Sequence, residues 1–133
     1  MSDMREGGCL CGAVRYKIDV TDHISSNCHC TDCRRQSGAP YIAFTDVVAD
    51  KFQWIKAPKG VLKFGGTSLR HFCDGCGAFM MWESQAEHEY MSISTATIDD
   101  PSGLVPTLEI YTKSRMDGIR PVEGAKQYLE SDH

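Results

Sequence analysis

Residues 7–12 read GGCLCG, and residues 72–77 read FCDGCG. The two segments carry four cysteines between them: Cys9, Cys11, Cys73 and Cys76. Neither pair can fill a tetrahedral metal site alone, but together they supply four thiolates, the usual ligand set of a closed structural zinc site. We therefore predict a zinc ion that ties the N-terminal segment to the middle of the chain. In the second segment we expect Gly75 and Gly77 to adopt the left-handed backbone that turns both sulfurs toward one ion.

The remaining thiols lie between these segments, in residues 28–33, which read CHCTDC. By subtraction Cys28, Cys30 and Cys33 must serve a site of their own. Three protein ligands and an open fourth position are typical of a catalytic zinc. An iron–sulfur cluster with one open iron also suits three thiolates, but the spacing does not match the ferredoxin patterns, so zinc is favoured.

The fourth position of this second site is open to water, a substrate or a nearby histidine. His29 lies between two ligands, and in extended backbone its side chain points away from theirs, which favours a place behind the ligands or in solvent. His71 shares a strand face with Cys73 and is a weaker candidate ligand. We expect His23 and His88 at the surface.

Length, charge and cysteine usage limit the class of protein. The 133 residues suit a single domain, residues 1–133, with 41% hydrophobic and 24% charged residues. Net charge is −4, and Arg34-Arg35 is the longest basic stretch, which argues against nucleic-acid binding. There is no signal-peptide pattern and no apolar run near the ~20 residues that span a bilayer. Seven clustered cysteines indicate metal binding in a reducing compartment, so we expect a cytoplasmic protein.

Short apolar alternations between glycine and proline turns predict a mainly β domain. The predicted strands lie near residues 14–20, 41–45, 52–54, 61–63, 69–72, 79–82, 90–95 and 107–112. Helical signals are few: we expect one short turn after Cys30 and another from Glu123 to Leu129.

Four segments together resemble the glutathione-dependent formaldehyde-activating enzyme family, whose domain is also that of centromere protein V. They read GGCLCGAVRY, CHCTDCRRQSG, RHFCDGCGAFM and STATIDDPSGLVPTLEIYTKSR, and the resemblance runs from about residue 7 to 124. It implies a β-tent fold stapled by two zinc ions, one structural on the four-cysteine set and one catalytic on Cys28, Cys30 and Cys33. The implied reaction is the addition of glutathione to formaldehyde, giving S-hydroxymethylglutathione, which is a carbon–sulfur lyase reaction in reverse.

A zinc ion with three thiolate ligands is chemically suited to binding a thiol substrate. Three thiolates leave zinc with a local charge of about −1, so bound water should be less acidic than at a site with neutral ligands. Such a soft site is better matched to an incoming thiol, which would attack a small aldehyde. Arg34 and Arg35 follow Cys33 directly, and either could pair with a glutathione carboxylate.

Several neighbouring residues have a structural and a functional interpretation. Asp32 could orient a ligand or act as a base, but an Asp at this place more often caps a turn. Gln36 and Ser37 could hydrogen-bond a ligand. Four aromatic residues could line a pocket, although such residues are usually core: Trp54, Phe79, Trp82 and Tyr111.

Two other functions remain open. One is a non-enzymatic binding module in which both zinc ions are structural. The other is a thiol redox or metal-handling protein whose triplet alternates between zinc-bound and disulfide forms. A homodimer is plausible, since small β domains have free sheet edges.

Overall fold

A computed structural model describes residues 1–132, in which short strands form two sheets. The strands, in chain order, are β1 (Met4–Gly8), β2 (Arg15–Asp19), β3 (Ile24–Cys28), β4 (Ile42–Val48), β5 (Phe52–Lys56), β6 (Gly60–Phe64), β7 (Ser68–Phe72), β8 (Phe79–Ser84), β9 (Tyr90–Ser94), β10 (Leu108–Ile110) and β11 (Lys126–Gln127). One α-helix of the described chain, α1 (Thr31–Ser37), lies between β3 and β4. Single 3-10 turns follow β4, β9 and β10, at Ala49–Lys51, Thr95–Thr97 and Thr112–Ser114.

The smaller sheet has the strand order β1-β2-β5, and the larger has the order β11-β10-β3-β4-β9-β8-β7-β6. Most neighbours are antiparallel, but β10 runs parallel to both β3 and β11. The predicted mainly β fold of short antiparallel strands, the β-tent, is confirmed.

Two apolar clusters pack on opposite faces of the larger sheet. Alternation along β4 explains the division, because successive side chains point to opposite faces. Val47 packs with Tyr16, Ile18 and other buried residues of the smaller sheet. Ile42 and Phe44 pack instead with Cys28, Cys33 and Phe79. The second cluster therefore brings the CHCTDC segment onto the sheet.

The sequence pattern identifies eight of these strands, but β1 and β3 carry too little apolar alternation to be recognised. In β3, which reads ISSNC, three buried residues are polar: Ser25, Ser26 and Asn27. The predicted turn of helix after Cys30 is confirmed as α1.

The helical turn expected from Glu123 to Leu129 is wrong. This segment instead forms β11, which pairs in parallel with β10 through Leu108 with Lys126 and Glu109 with Gln127. A two-residue strand has no periodicity of its own, so its conformation depends on the edge that β10 offers.

No helix within residues 1–132 has the length and apolar character needed to cross a membrane.

Candidate metal centres

The loop after β1 and the loop between β7 and β8 bring the four-cysteine set together. The sulfurs of Cys9, Cys11, Cys73 and Cys76 all lie within 4.8 Å of one another. Cys11 Sγ is 3.7 Å from both Cys9 Sγ and Cys73 Sγ. Tetrahedral zinc bonds of about 2.3 Å require sulfurs about 3.8 Å apart. The two measured distances match this spacing, and the four residues fit a tetrahedral zinc site.

Backbone hydrogen bonds shape the second loop into a tight turn. Gly77 N–H donates to the Cys73 carbonyl at 2.7 Å, and Cys73 N–H donates to the Ala78 carbonyl at 3.0 Å. Gly77 has φ +78°, a left-handed conformation that suits glycine, as predicted. Gly75 does not have positive φ, so the same prediction for Gly75 is wrong.

The charge balance of this set indicates that it needs a cation. Burial raises the pKa of Cys9, but the Val14 N–H and the neighbouring thiols outweigh it and lower that pKa to about 6. The Ala13 backbone lowers the pKa of Cys11, yet the adjacent sulfurs of Cys9 and Cys73 raise it to about 11. Four sulfurs at this spacing repel one another as thiolates. A divalent ion would remove that repulsion.

The second centre forms where β3 ends and α1 begins. Cys28 is the last residue of β3, Cys30 precedes the helix, and Cys33 lies buried in its first turn. Their sulfurs also lie within 4.8 Å of one another. Cys30 Sγ accepts a hydrogen bond from Cys33 N–H at 3.3 Å, so a sulfur occupies the helix-capping position usually held by an oxygen.

The three thiols share negative charge unequally. Hydrogen bonds from Cys28 and Cys33 lower the pKa of Cys30 to about 2. The same contacts with Cys30 and Cys33, followed by burial, raise the pKa of Cys28. The contacts thus favour the anionic form at Cys30 and the neutral form at Cys28, and a bound cation would favour the anionic form of all three sulfurs.

A buried arginine, not recognised from the sequence, faces this triplet. Arg70, on β7, is 5% exposed, and its guanidinium donates to Cys33 Sγ at 3.6 Å and to Gln36 Oε1 at 3.0 Å. It also lies over the Phe79 ring. A guanidinium in this position offsets the negative charge that remains on three thiolates and a zinc ion.

His29 lies behind the ligands and is buried, so the alternative of a solvent-exposed position is wrong. Its ring is 0% exposed, and its Nε2 lies 2.7 Å from Glu109 Oε1. Because a carboxylate only accepts, Nε2 is the nitrogen that carries the hydrogen. The burial of a glutamate on β10 was not predicted.

Glu109, on β10, connects His29, just after β3, to the C-terminal segment through hydrogen bonds. Burial raises its pKa, but hydrogen bonds from His29, Gln127 and the Val122 N–H outweigh it and lower the pKa of Glu109 to about 2. Arg115 also lies 3.4 Å from its Oε2, which gives that arginine a structural contact.

The other histidines lie outside both clusters. His71 Nε2 pairs with Glu83 Oε1 at 2.7 Å and its ring packs near Trp54, so it is not the fourth ligand considered above. His88 is exposed, as expected. His23 is half-buried, and its Nδ1 lies 2.8 Å from the Val20 carbonyl oxygen.

The triplet opens into a cavity of about 560 Å³. All three cysteines line it, and charged side chains line its walls: Asp32, Asp46, Arg70, Lys113 and Asp132. Phe44, Trp82, Ile110 and Tyr111 supply apolar surface. Its size suits a peptide-sized ligand better than a small aldehyde alone.

The remaining predicted site residues divide between cavity and core. Trp82 and Tyr111 line the cavity, whereas Phe79 and Trp54 pack in the two apolar clusters. Tyr111 has a left-handed backbone, φ +56°, which is uncommon for a non-glycine residue. Its N–H donates to the Glu130 carbonyl, so the C-terminal segment holds this wall of the cavity in place.

Arg34 and Arg35 lie on α1 and are not among the residues that line the cavity. Arg34 Nη1 donates to the carbonyl of Ser114, a residue of the cavity wall, at 3.4 Å. Ser37 caps the end of α1 by donating to the Cys33 carbonyl at 2.7 Å, a structural use of its hydroxyl.

Two comparisons of the sequence with known proteins gave matches, one to a family profile and one to a curated protein. The sequence profile of the glutathione-dependent formaldehyde-activating enzyme family matches residues 4–114. A Schizosaccharomyces pombe protein, named as an uncharacterized lyase, is 32% identical over 74 residues, which is 54% of this chain and 52% of that protein. The chain thus matches about half the length of this curated relative.

A crystal structure of a Rhodobacter sphaeroides protein has the same fold. It superposes with a TM-score of 0.60 over 92% of this chain and 98% of that one, at 18% sequence identity.

Proposed function

The chain belongs to the glutathione-dependent formaldehyde-activating enzyme family, and we propose that it is a zinc-dependent carbon–sulfur lyase. The reaction is the reversible addition of a glutathione-like thiol to a small aldehyde. Family membership and the lyase-named relative support a lyase-type role. The thiol, the aldehyde and the metal belong to the proposal.

One observation carries it: a three-cysteine cluster lies in the wall of a peptide-sized cavity. Within residues 1–132 this cluster includes three potential ligands, whereas the other cluster includes four. A four-ligand set satisfies a tetrahedral ion, but a three-ligand set leaves a position for an exogenous group. All three cysteines line a space in which a substrate fits, so a group bound there would be within reach of the site.

A zinc ion held by Cys28, Cys30 and Cys33 would supply a soft Lewis acid that favours the thiolate form of a thiol substrate. Around it, Arg70 places a fixed positive charge against Cys33. This buried charge favours the approach of an anionic sulfur, because the interaction is screened little by water.

The reaction itself needs no other cofactor. The sulfur forms a bond to the carbonyl carbon, the π bond of the aldehyde breaks, and the thiol proton ends on the former carbonyl oxygen. Tyr111 lines the cavity, and burial, followed by the charges of Cys28 and Cys30, raises the pKa of its phenol. A protonated phenol at this wall can donate a hydrogen bond to the developing oxyanion.

The cavity also offers positive charge to the carboxylates of a peptide thiol. Lys113 lies on the wall beside Tyr111, with its Nζ 3.1 Å from the exposed Glu130 carboxylate. Arg34 lies directly behind Ser114 of the same wall. We assign carboxylate binding to Lys113, which lines the space. The binding role expected for Arg34 and Arg35 stays a prediction, because neither residue lines the cavity.

The test is replacement of Cys30 by serine. Cys30 is half-buried, caps a seven-residue helix and takes no part in the four-cysteine set. We expect the variant to fold, to lose one zinc per chain and to lose thiol–aldehyde turnover by more than about 100-fold, since changes outside the ligand set already cost about 10- to 100-fold in metal sites.

Turnover is followed as formaldehyde consumption in the presence of glutathione, with circular dichroism as the control for folding. Retention of wild-type turnover by a folded Cys30→Ser protein would rule out the proposed chemistry. A non-enzymatic module or a thiol redox protein would then be the better account.

A further inference from the structure

Two consecutive residues at the end of β10, Ile110 and Tyr111, both line the cavity. In an extended strand successive side chains point to opposite faces, so Tyr111 would point away from a cavity that Ile110 lines. Tyr111 instead has a left-handed backbone, with φ +56° and ψ +39°, and this conformation ends the alternation. The place of its phenol in the cavity therefore depends on the left-handed backbone.

The left-handed conformation of Tyr111 is unfavourable for a residue with a bulky side chain. Such a conformation persists only where the surrounding structure holds it, and it occurs most often at functional sites. Ser114 N–H donates to the Tyr111 carbonyl at 3.0 Å, which restrains the turn after Tyr111. The peptide before Tyr111 needs a restraint of its own.

That restraint comes from residues 128–132, which we call the C-terminal strap. Tyr111 N–H donates to the Glu130 carbonyl at 2.9 Å, and Thr112 N–H donates to the Tyr128 carbonyl at 3.0 Å. The Thr112 hydroxyl donates to the same Tyr128 carbonyl, also at 3.0 Å. The strap thus bonds the N–H group on each side of the Tyr111 α-carbon.

The strap does more than extend the sheet. Its first residue continues the pairing of β11 with β10, since Tyr128 N–H donates to the Glu109 carbonyl at 2.9 Å. Beyond this pairing the strap runs on to the cavity, where Ser131 and Asp132 form part of the wall. The family profile matches residues 4–114, so the strap lies outside the matched region.

We propose that the C-terminal strap is a positioning element of the active site, which holds Tyr111 in the left-handed conformation and so keeps its phenol in the cavity. Tyr111 packs against the apolar cluster that contains Cys28 and Cys33, so a phenol held there lies close to the cysteine triplet. The proposal rests on the proposed function, because the strap serves the hydrogen bond from this phenol to the developing oxyanion.

Loss of the strap should affect the chemical step and leave the three-cysteine set unchanged. Without the strap, Tyr111 can return to an extended backbone, in which its side chain leaves the cavity. The three cysteines are held by other elements, because Cys28 ends β3, while Cys30 and Cys33 belong to the cap and first turn of α1. Metal content per chain should therefore stay the same.

The experiment is a double-mutant cycle that combines a chain ending at Tyr128 with the Tyr111→Phe substitution. Leu129 and Glu130 are exposed, so removing them leaves the core intact. We expect each change alone to lower kcat for thiol–aldehyde turnover by about 100-fold, the effect of losing one oxyanion donor. In the Tyr111→Phe protein, shortening the chain should lower kcat by less than about 2-fold, because both changes remove the same interaction.

Thr112→Val tests the strap without shortening the chain, because it removes the hydroxyl that bonds the Tyr128 carbonyl. We expect kcat to fall by about 2- to 10-fold, the contribution of one hydrogen bond, with no further fall in the Tyr111→Phe protein. Thr107→Val is the matched control, since Thr107 is exposed, lies outside the cavity and accepts from Lys126 N–H on the same sheet edge. It should keep the wild-type kcat.

A second measurement does not depend on turnover. With 3-fluorotyrosine placed at position 111, the fluorine NMR shift of the full chain should differ from that of an exposed fluorotyrosine. In the shortened chain, the shift should move to the exposed value.

Equal fold-losses from shortening the chain in both backgrounds, or a fluorine shift that shortening leaves unchanged, would overturn the role of the strap. If the shortened chain does not fold, the Thr112→Val cycle decides: an equal loss of kcat in both backgrounds, or no loss in either, overturns the proposal. If shortening moves the fluorine signal but the full chain forms no aldehyde adduct, the strap positions Tyr111 and the proposed lyase chemistry fails.

Discussion

Replacing Cys73 by serine is expected to abolish folding under conditions in which the Cys30→Ser protein remains folded. Cys73 is 1% exposed and packs in the larger apolar cluster with Val14 and Met80. Its sulfur meets that of Cys11 across 62 residues of sequence. A structural zinc contributes on the order of 10 kcal/mol in small domains, which is comparable to the whole stability of a protein of this size.

Thermal unfolding followed by circular dichroism measures this difference. A strong chelator should abolish the cooperative unfolding transition of the wild-type protein, and the Cys73→Ser protein should show no such transition even without chelator. A folded Cys73→Ser protein with wild-type melting would show that the four-cysteine set does not hold a stabilising ion.

The second large effect is expected at Glu109. This side chain is 1% exposed and accepts hydrogen bonds from His29, Gln127 and the Val122 N–H, so it joins β3 to the C-terminal segment. Glu109→Ala removes one partner from a buried ionic network and should cost about 3–5 kcal/mol of folding free energy, because His29 and Arg115 lose their acceptor.

Urea unfolding at pH 7 tests this value, with Glu130→Ala as the matched control. Glu130 pairs with Lys113 at the surface, where its removal should change stability by less than about 0.5 kcal/mol. If the two substitutions had similar effects, the network around Glu109 would not be what stabilises this edge of the sheet.

The pKa of Glu109 also gives the sign of a pH effect. Because the folded state lowers this pKa to about 2, below its ordinary value of 4.5, the carboxylate adds stability above about pH 4.5. That contribution should be lost as the pH falls from about 4.5 toward 2. Glu109→Gln should remove this part of the acid dependence.

The sequence alone predicted the features of the site that depend on the spacing of neighbouring residues. The division of seven thiols into four and three follows from cysteine spacing, and both sets form clusters in the structure. Alternation in an extended backbone also separates His29 from its cysteine neighbours. These features depend on a few adjacent residues, so no long-range pairing has to be known.

The missed residues depend on strand register. Arg70 reaches Cys33 because β7 and α1 pack on the same cavity, and Glu109 meets His29 because β10 runs parallel to β3. Asp46 reads as one polar residue in an apolar strand, and only the pairing of β4 with β9 places it beside Ser92. β3 itself was missed because three of its buried positions are polar, which hides the apolar alternation of a strand.

The central claim is that the chain holds two metal ions in chemically different sites, and metal content per chain tests it most directly. Elemental analysis of protein purified under reducing conditions, without added metal, should give two zinc ions per chain and no stoichiometric iron. One zinc per chain, or iron in place of the second zinc, would contradict the assignment of Cys28, Cys30 and Cys33 to an open zinc site.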